Sequence, residues 1–269
     1  MRTLFASDLD RTLIYSANAL FLDTEDAAAP GLVVSEVYEG KPLSFMTRAA
    51  EDLLVAAAEA AVFVPVTTRT VAQYRRIQLP APAPEYAVTT NGGVILHHGE
   101  PDADWQDKVR SLVAGGCAPL AEVSAHLARP EFAAWTLKLR TAEDLFAYAV
   151  VDRAALPGQF LLELETWCAE RGWTVSLQGR KLYCVPVPVT KQDAVAEVAR
   201  RTGTEQIIAA GDSLLDRPML QAADVAFRPA HGELDDAGYR ERHLQVTAAR
   251  GVLAGEEILR RVLELVRGS

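Results

Sequence analysis

The chain has 269 residues, 49% of them hydrophobic, and sets 27 Lys and Arg against 36 Asp and Glu for a formal net charge of −9. That length is near the size at which one core divides into a larger and a smaller domain, and an acidic chain with no long basic stripe argues against a nucleic-acid partner. Cys117, Cys168 and Cys184 lack paired metal-ligand spacing, which points to a reduced, cytoplasmic setting. Acids at positions 8 and 10 come too early for a secretory leader, and the apolar stretch 53–66 is broken by Glu59 and Pro65. Neither a signal peptide nor a membrane span is expected.

Leu4 to Leu13 runs an apolar strand into two carboxylates, Asp8 and Asp10, and the hydroxyl of Thr12. Strand alternation sends both acids to one side, where two like charges call for a cation between them. Mg²⁺ fits, because it takes hard oxygen ligands and bridges carboxylates to phosphate. An ordinary acidic turn is the alternative. Leu32–Glu36 and Leu43–Met46 flank Glu39-Gly40-Lys41 as a flap-like hairpin, and 47–60 reads as a helix. The apolar run Ala61–Val66 stops at Thr67-Thr68-Arg69-Thr70 before a helical stretch from Val71 to Ile77. Hydroxyls and helix N-terminal amides there can cradle an anion, though such clusters are often only caps. Ala87–Thr90 reads as the next core strand, turned outward by Asn91-Gly92-Gly93. His97-His98 is not expected to bind metal, since neighbours on a strand point opposite ways.

The segment from about 96 to 186 reads as helix, two strands, helix, two strands. Its helices are expected near 104–127, interrupted at Gly115-Gly116, and 156–171; its strands near 133–140, 145–151, 173–178 and 181–185. Alternation places Trp135, Leu137 and Leu139 against the helices and Thr136, Lys138 and Arg140 on the open face, with Thr174, Ser176 and Gln178. That face is either a cationic ceiling over the strand ends or a plain solvated sheet.

Lys191 opens the helical run to Thr202; taken alone, it reads as a surface charge. Gln206–Ala210 is a short buried strand followed by Gly211-Asp212-Ser213-Leu214-Leu215-Asp216. Gly211 suits a tight turn, Asp212 a metal ligand or helix N-cap, and Asp216 lies one helical turn later on the same side. Gly251–Val266 reads as a closing helix. Every one of these motifs lies at a strand's carboxyl end, where parallel α/β sheets bind ligands.

With Asp-x-Asp-x-Thr at 8–12, Thr67 at a strand end, Lys191 and Gly-Asp-x-x-x-Asp at 211–216, in that order, the chain resembles the haloacid dehalogenase (HAD) superfamily of phosphohydrolases. The long insertion between Thr67 and Lys191 further resembles the Cof-like and sucrose-phosphate-phosphatase-like subgroup. The resemblance implies an α/β fold: a doubly wound, mostly parallel HAD-like Rossmannoid core of residues 1–93 and 187–269, with an inserted α+β cap over 94–186. It implies that Asp8 is the nucleophile, that Asp10 protonates the leaving oxygen and then activates water, and that Thr67 and Lys191 hold the phosphoryl group. Mg²⁺ would take the Asp8 carboxylate, the Asp10 main-chain carbonyl and Asp212, with Asp216 in support. Arg11 and Thr68 stand where glycine is frequent in the family, and Leu215 where asparagine is. Arg11 is expected mainly to pack its stem on the surface.

The expectation is a Mg²⁺-dependent phosphomonoesterase acting on a small phosphorylated metabolite, with a sugar phosphate favoured. Substrate contacts are expected at Thr12, Thr68, Arg69, Asn91, Lys138 and Arg140. A nucleotide phosphatase, a phosphotransferase or mutase, and a non-catalytic phosphate-binding protein are the alternatives. Oligomeric state is not legible.

Overall fold

Strand β1 (Thr3–Ser7) is buried along its whole length, which is why it reads as an apolar run rather than an alternating one. It lies between β2 (Val62–Pro65) and β3 (Gln206–Ala210), both parallel to it, with Ala6 beside Val64 on one side and Ala209 on the other. Two further parallel strands, β4 (Val225–Arg228) and β5 (Leu244–Val246), complete the sheet in the order β5-β4-β3-β1-β2. This is a computed structural model, and it describes residues 2–80 and 82–268.

Helices α1 (Arg48–Ala60) and α3 (Val252–Arg267) bury Leu54, Ile258, Leu259 and Val262 in one cluster with Phe5, Phe63 and Ile208 of the sheet. The α1 start is set by Thr47, whose hydroxyl accepts from the Ala50 amide at 2.9 Å. Helix α2 (Lys191–Thr202) begins at the lysine singled out above and buries it. The expected helix after Thr70 is a single turn, Val71–Tyr74. Thr70 and Gln73 form a capping box there, but beyond Arg75 the bonds tighten to i, i−3, Arg76 to Gln73 and Ile77 to Tyr74, and the helix ends.

The hairpin is present as Leu32–Tyr38 paired with Lys41–Thr47, and Tyr15–Ser16 adds a third strand. Glu39 and Gly40 at its tip have φ of 50° and 73°, the left-handed pair that a two-residue turn matched to strand twist requires.

The chain divides into two compact units: residues up to Pro101 with those from Lys191 onward, and Asp102–Thr190. Val94–His97 and Glu100–Pro101 stay with the first unit because Val94–His97 pairs antiparallel with Tyr86–Thr89. His98 adopts φ of 50°, which ends the strand alternation and turns its ring to within 4.3 Å of His97, with Glu85 alongside. The expectation that the two histidines point apart is therefore corrected.

The second unit carries one antiparallel sheet in the order Trp173–Gln178, Lys181–Pro186, Phe146–Val151, Thr136–Ala142. Its helices are Ala103–Gly116, Leu120–Leu127 and Phe160–Ala169. Cys184 meets Cys168 of the last helix at 3.9 Å, which identifies the helix-covered face. Register puts Lys138 opposite Val150 and Arg140 opposite Tyr148, on the other face, as alternation requires. A bulge at Leu137 breaks the pattern: Thr136 pairs with Val151 on the helix side, and Leu137 is 56% exposed instead of packed. Phe146, Tyr148 and Tyr183 share the face of Lys138 and Arg140, so it is aromatic as well as cationic.

Candidate active site

Asp8 follows the last residue of β1, with its amide held by the Ala210 carbonyl at 2.8 Å. Its side chain is buried, and Lys191 Nζ donates to Oδ1 at 2.6 Å. The Thr12 hydroxyl donates to Oδ2 at 3.3 Å. Lys191 is only 1% exposed and donates equally to Asp216 Oδ1, at 2.5 Å. So the residue that taken alone reads as a surface charge, and that the family resemblance sets beside the phosphoryl group, is the buried cation between two acids.

Asp216 is also held by Ser213, whose amide and hydroxyl donate to Oδ2 at 2.9 and 2.7 Å. The expected helical turn between Asp212 and Asp216 is absent: the next helix, Arg217–Ala222, starts after Asp216, and the Asp216 amide donates to Ser213 in a turn. Gly211 does not have the positive φ expected of a tight turn. Instead a Cβ on Gly211 would sit 2.5 Å from Cβ and Cγ of Asp216, so only glycine lets that carboxylate pack against the strand end. Gly232 plays the same part for Asp212, where a Cβ would lie 2.5 Å from Oδ2.

Asp8, Asp212 and Asp216 offer carboxylate oxygens within 4.8 Å of one another, all buried. Burial, opposed chiefly by Lys191, raises Asp8 to about 7, and burial with the charges of Asp8 and Asp216 pushes Asp212 well above the usual carboxylate range. Lys191 is raised as well, which for an ammonium favours the charged form. Burial works against its charge, but Asp216 and Asp8 outweigh it and hold the ammonium above its normal value. One ammonium shared among three acids accounts for both effects, a cation held charged and acids pushed toward their neutral form: the cation is over-compensated and the acids under-compensated. Arg11 adds little, with Nε 3.7 Å from Asp212. Its stem does not simply lie along the surface, since Nε is buried on the Asp212 side, and φ of 65° with a hydrogen bond from His231 Nε2 to the Arg11 carbonyl at 2.8 Å fixes the turn. Glycine's ease at such a φ gives the physical reason that glycine suits this position. A deficit of positive charge among hard oxygen donors fits a divalent cation of the Mg²⁺ type, held by Asp8 and Asp212 with Asp216 close by.

Asp10 is not part of that trio. Arg69 grips its carboxylate from two sides, Nε to Oδ2 and Nη2 to Oδ1, each at 2.7 Å. The remaining arm, Nη1, donates to Glu36 Oε2 at 2.9 Å. Arg76 Nε donates to Glu36 Oε1 at 3.0 Å and the Ser44 hydroxyl to Oε2 at 3.1 Å. Arg69, expected to meet substrate, is thus committed within the protein, and Asp10 with Glu36 outweighs burial to hold its charge. Glu36 and Arg76 are absent from the sequence-based site. The one available signal was an acid closing the predicted apolar hairpin strand Leu32–Glu36, and that does not name a partner.

Thr67 is fully buried, its hydroxyl accepting from the Arg69 amide at 3.1 Å and its carbonyl from Asn91 N at 3.0 Å. Asn91 occupies the left-handed region with φ of 56°, and Thr68 is nearly buried. Thr12, Thr67, Thr68, Asn91 and Lys191 all belong with Asp8 to the first unit, whereas Lys138 and Arg140 belong to the second.

No family model and no curated protein matches the chain. Solved structures do. The sucrose-phosphatase from Synechocystis sp. PCC6803, determined in complex with sucrose and phosphate, superposes with a TM-score of 0.66 at 14% identity, covering 97% of this chain and 98% of that one. A HAD-superfamily phosphatase from Bacteroides thetaiotaomicron gives 0.53 at 13% identity over 97% and 95% of the two chains. A trehalose-6-phosphate phosphatase related protein gives 0.52 at 14% identity over 99% and 100%. Each likeness spans nearly the whole of both chains, and the chain, with its five-stranded parallel sheet and separate antiparallel sheets, therefore has the fold of the HAD-superfamily phosphatases.

Proposed function

We propose that the protein is a Mg²⁺-dependent phosphomonoester hydrolase that works through an aspartyl-phosphate on Asp8, with a small phosphorylated metabolite, foremost a sugar phosphate, as substrate. The observation that carries this reading is the Asp8 carboxylate at the end of β1, hydrogen-bonded to buried Lys191 at 2.6 Å and grouped with Asp212 and Asp216. Bound Mg²⁺ would supply positive charge to the phosphoryl oxygens and offset repulsion between substrate and carboxylate.

In the first step an Asp8 oxygen bonds to phosphorus as the ester P–O bond breaks, and the departing oxygen takes a proton from Asp10. In the second, water gives a proton to Asp10 and attacks phosphorus, the Asp8–phosphorus bond breaks, and phosphate leaves with both acids restored. Arg69 holds the Asp10 carboxylate by two bonds, and the side chain is 39% exposed, so a leaving oxygen and water can reach it. Lys191 keeps its charge throughout and holds the Asp8 carboxylate in place while opposing the build-up of negative charge. Thr67 and the backbone around it supply further anion contacts. Lys138 and Arg140 are proposed to bind the rest of the substrate.

Preference for a sugar phosphate draws support from the structural relative that binds sucrose with phosphate. The test is phosphate release from a panel of sugar phosphates, nucleotides and other phosphometabolites, with and without Mg²⁺, by wild type and Asp8→Asn. Turnover that requires both Mg²⁺ and Asp8 is the expected result, and the ranking names the class. Phosphate release that persists in Asp8→Asn would overturn the covalent mechanism.

A further inference from the structure

Glu36 is a carboxylate on the hairpin strand Leu32–Tyr38, outside every motif used above, yet it is only 2% exposed. A buried carboxylate is costly unless paired, and here both oxygens are paired, with Arg69, Arg76 and Ser44. We propose that Glu36 is a positioning residue for the general acid: it anchors the third arm of Arg69, and Arg69 in turn fixes the Asp10 carboxylate. This rests on Asp10 acting as acid and base, as proposed above.

The geometry favours this role over a simple tie between hairpin and core. That tie is already made by backbone: the Gln78 amide donates to the Ser35 carbonyl at 2.8 Å, and Glu36 forms a β-bridge with Ile77. The side-chain chain runs elsewhere, toward the reacting end of β1. A guanidinium is a rigid planar fork, so fixing one arm fixes the direction of the other two. With Nη1 on Glu36, the edge formed by Nε and Nη2 can meet Asp10 in one orientation only. Release of Nη1 would leave the Arg69 head free to rotate, and Asp10 would follow it away from the leaving oxygen. Small misplacements of a proton donor are expensive in rate.

General acid help matters for a poor leaving group and little for a good one, so the role has a signature that loss of fold does not share. An alkoxide departing from a sugar phosphate needs a proton, whereas p-nitrophenolate does not. The experiment compares kcat/KM for the best sugar phosphate and for p-nitrophenyl phosphate in wild type and Glu36→Gln, which keeps the shape and removes the charge. The sugar-to-aryl ratio should fall by about 10- to 100-fold, a part of the full value of a general acid. Arg69→Lys, which keeps the charge without the fork, should lower the same ratio, and it replaces Glu36→Gln if that variant does not fold. A ratio unchanged within about threefold, whether both rates fall together or neither falls, would overturn the positioning role. If wild type turns over neither ester, the phosphatase reading itself fails, a result distinct from an unchanged ratio.

Discussion

Lys191 Nζ stands 2.6 Å from Asp8 Oδ1 across 183 residues of sequence, and 2.5 Å from Asp216 on its other side. At 1% exposure it has no water to replace either partner. Lys191→Met should therefore strand two buried carboxylates and destabilise the fold by about 3–5 kcal/mol, as breaking buried pairs does. For a chain of this size that corresponds to roughly 6–20 °C in melting temperature. Calorimetry or circular dichroism would check it, and a shift of a degree or two would mean the acids had found other compensation.

The three-acid group predicts a thermal response to Mg²⁺. Because the ion would bind the folded chain and not the unfolded one, saturating Mg²⁺ at about 100 times its dissociation constant should add roughly 2.7 kcal/mol. Asp212→Asn should lose most of that gain while keeping its own fold, since it relieves repulsion that burial and Asp8 impose on this site. An equal Mg²⁺ shift in wild type and Asp212→Asn would place the ion elsewhere.

Gly211→Ala tests packing rather than chemistry. The added Cβ would meet Asp216 at 2.5 Å, and Asp216 is fully buried and held by Lys191 and Ser213, so it has nowhere to retreat. We expect about 1–3 kcal/mol of overpacking and a fall in kcat, because displacing Asp216 moves Lys191 and with it Asp8. Unaltered kcat with lowered stability would separate the Asp216 position from turnover.

His231 gives the pH prediction. Burial, with the charges of Arg11 and Arg250, lowers it to about 4, against the hydrogen bond to the Arg11 carbonyl. Its Nδ1 accepts from the Gly251 amide at 3.1 Å, so the native ring is neutral with its proton on Nε2. The unfolded histidine titrates near 6.5, so between about 6.5 and 4 the unfolded chain binds the extra proton. This contribution is present in full above 6.5 and falls away with acidification, by up to about 3 kcal/mol. Asp8 and Asp212 have raised values and pull the opposite way, so the measurement is the difference between wild type and His231→Gln in urea midpoint at pH 7 and pH 5. The difference should shrink at pH 5, and a constant difference would refute the neutral, buried assignment.

Several parts of this molecule were readable one strand at a time. Apolar runs that end in Asp8, Thr67 or Asp212 announce buried parallel strands whose polar residues gather at one end, because a doubly covered strand tolerates polar groups only where it stops. The hairpin tip at Glu39-Gly40, the α1 cap at Thr47 and the inserted four-stranded unit follow equally local rules. These signals lie within a few residues of the structure they specify.

The partners of Lys191, Asp10 and Gly211 were decided by contacts between residues far apart in the chain. No periodicity announces that Lys191 is buried between two acids, that Arg69 turns inward to Asp10 and Glu36, or that Gly211 is needed for the space it leaves Asp216. The bulge at Leu137 likewise depends on its pairing with the strand Phe146–Val151, and it moved Thr136 to the opposite face. The sequence by itself determined which chemical groups stand at the strand ends, since that is a matter of local pattern. Which charge neutralises which, and which acid is left short of positive charge, was decided by tertiary structure, because electrostatic compensation depends on distance and burial that only the packed chain defines.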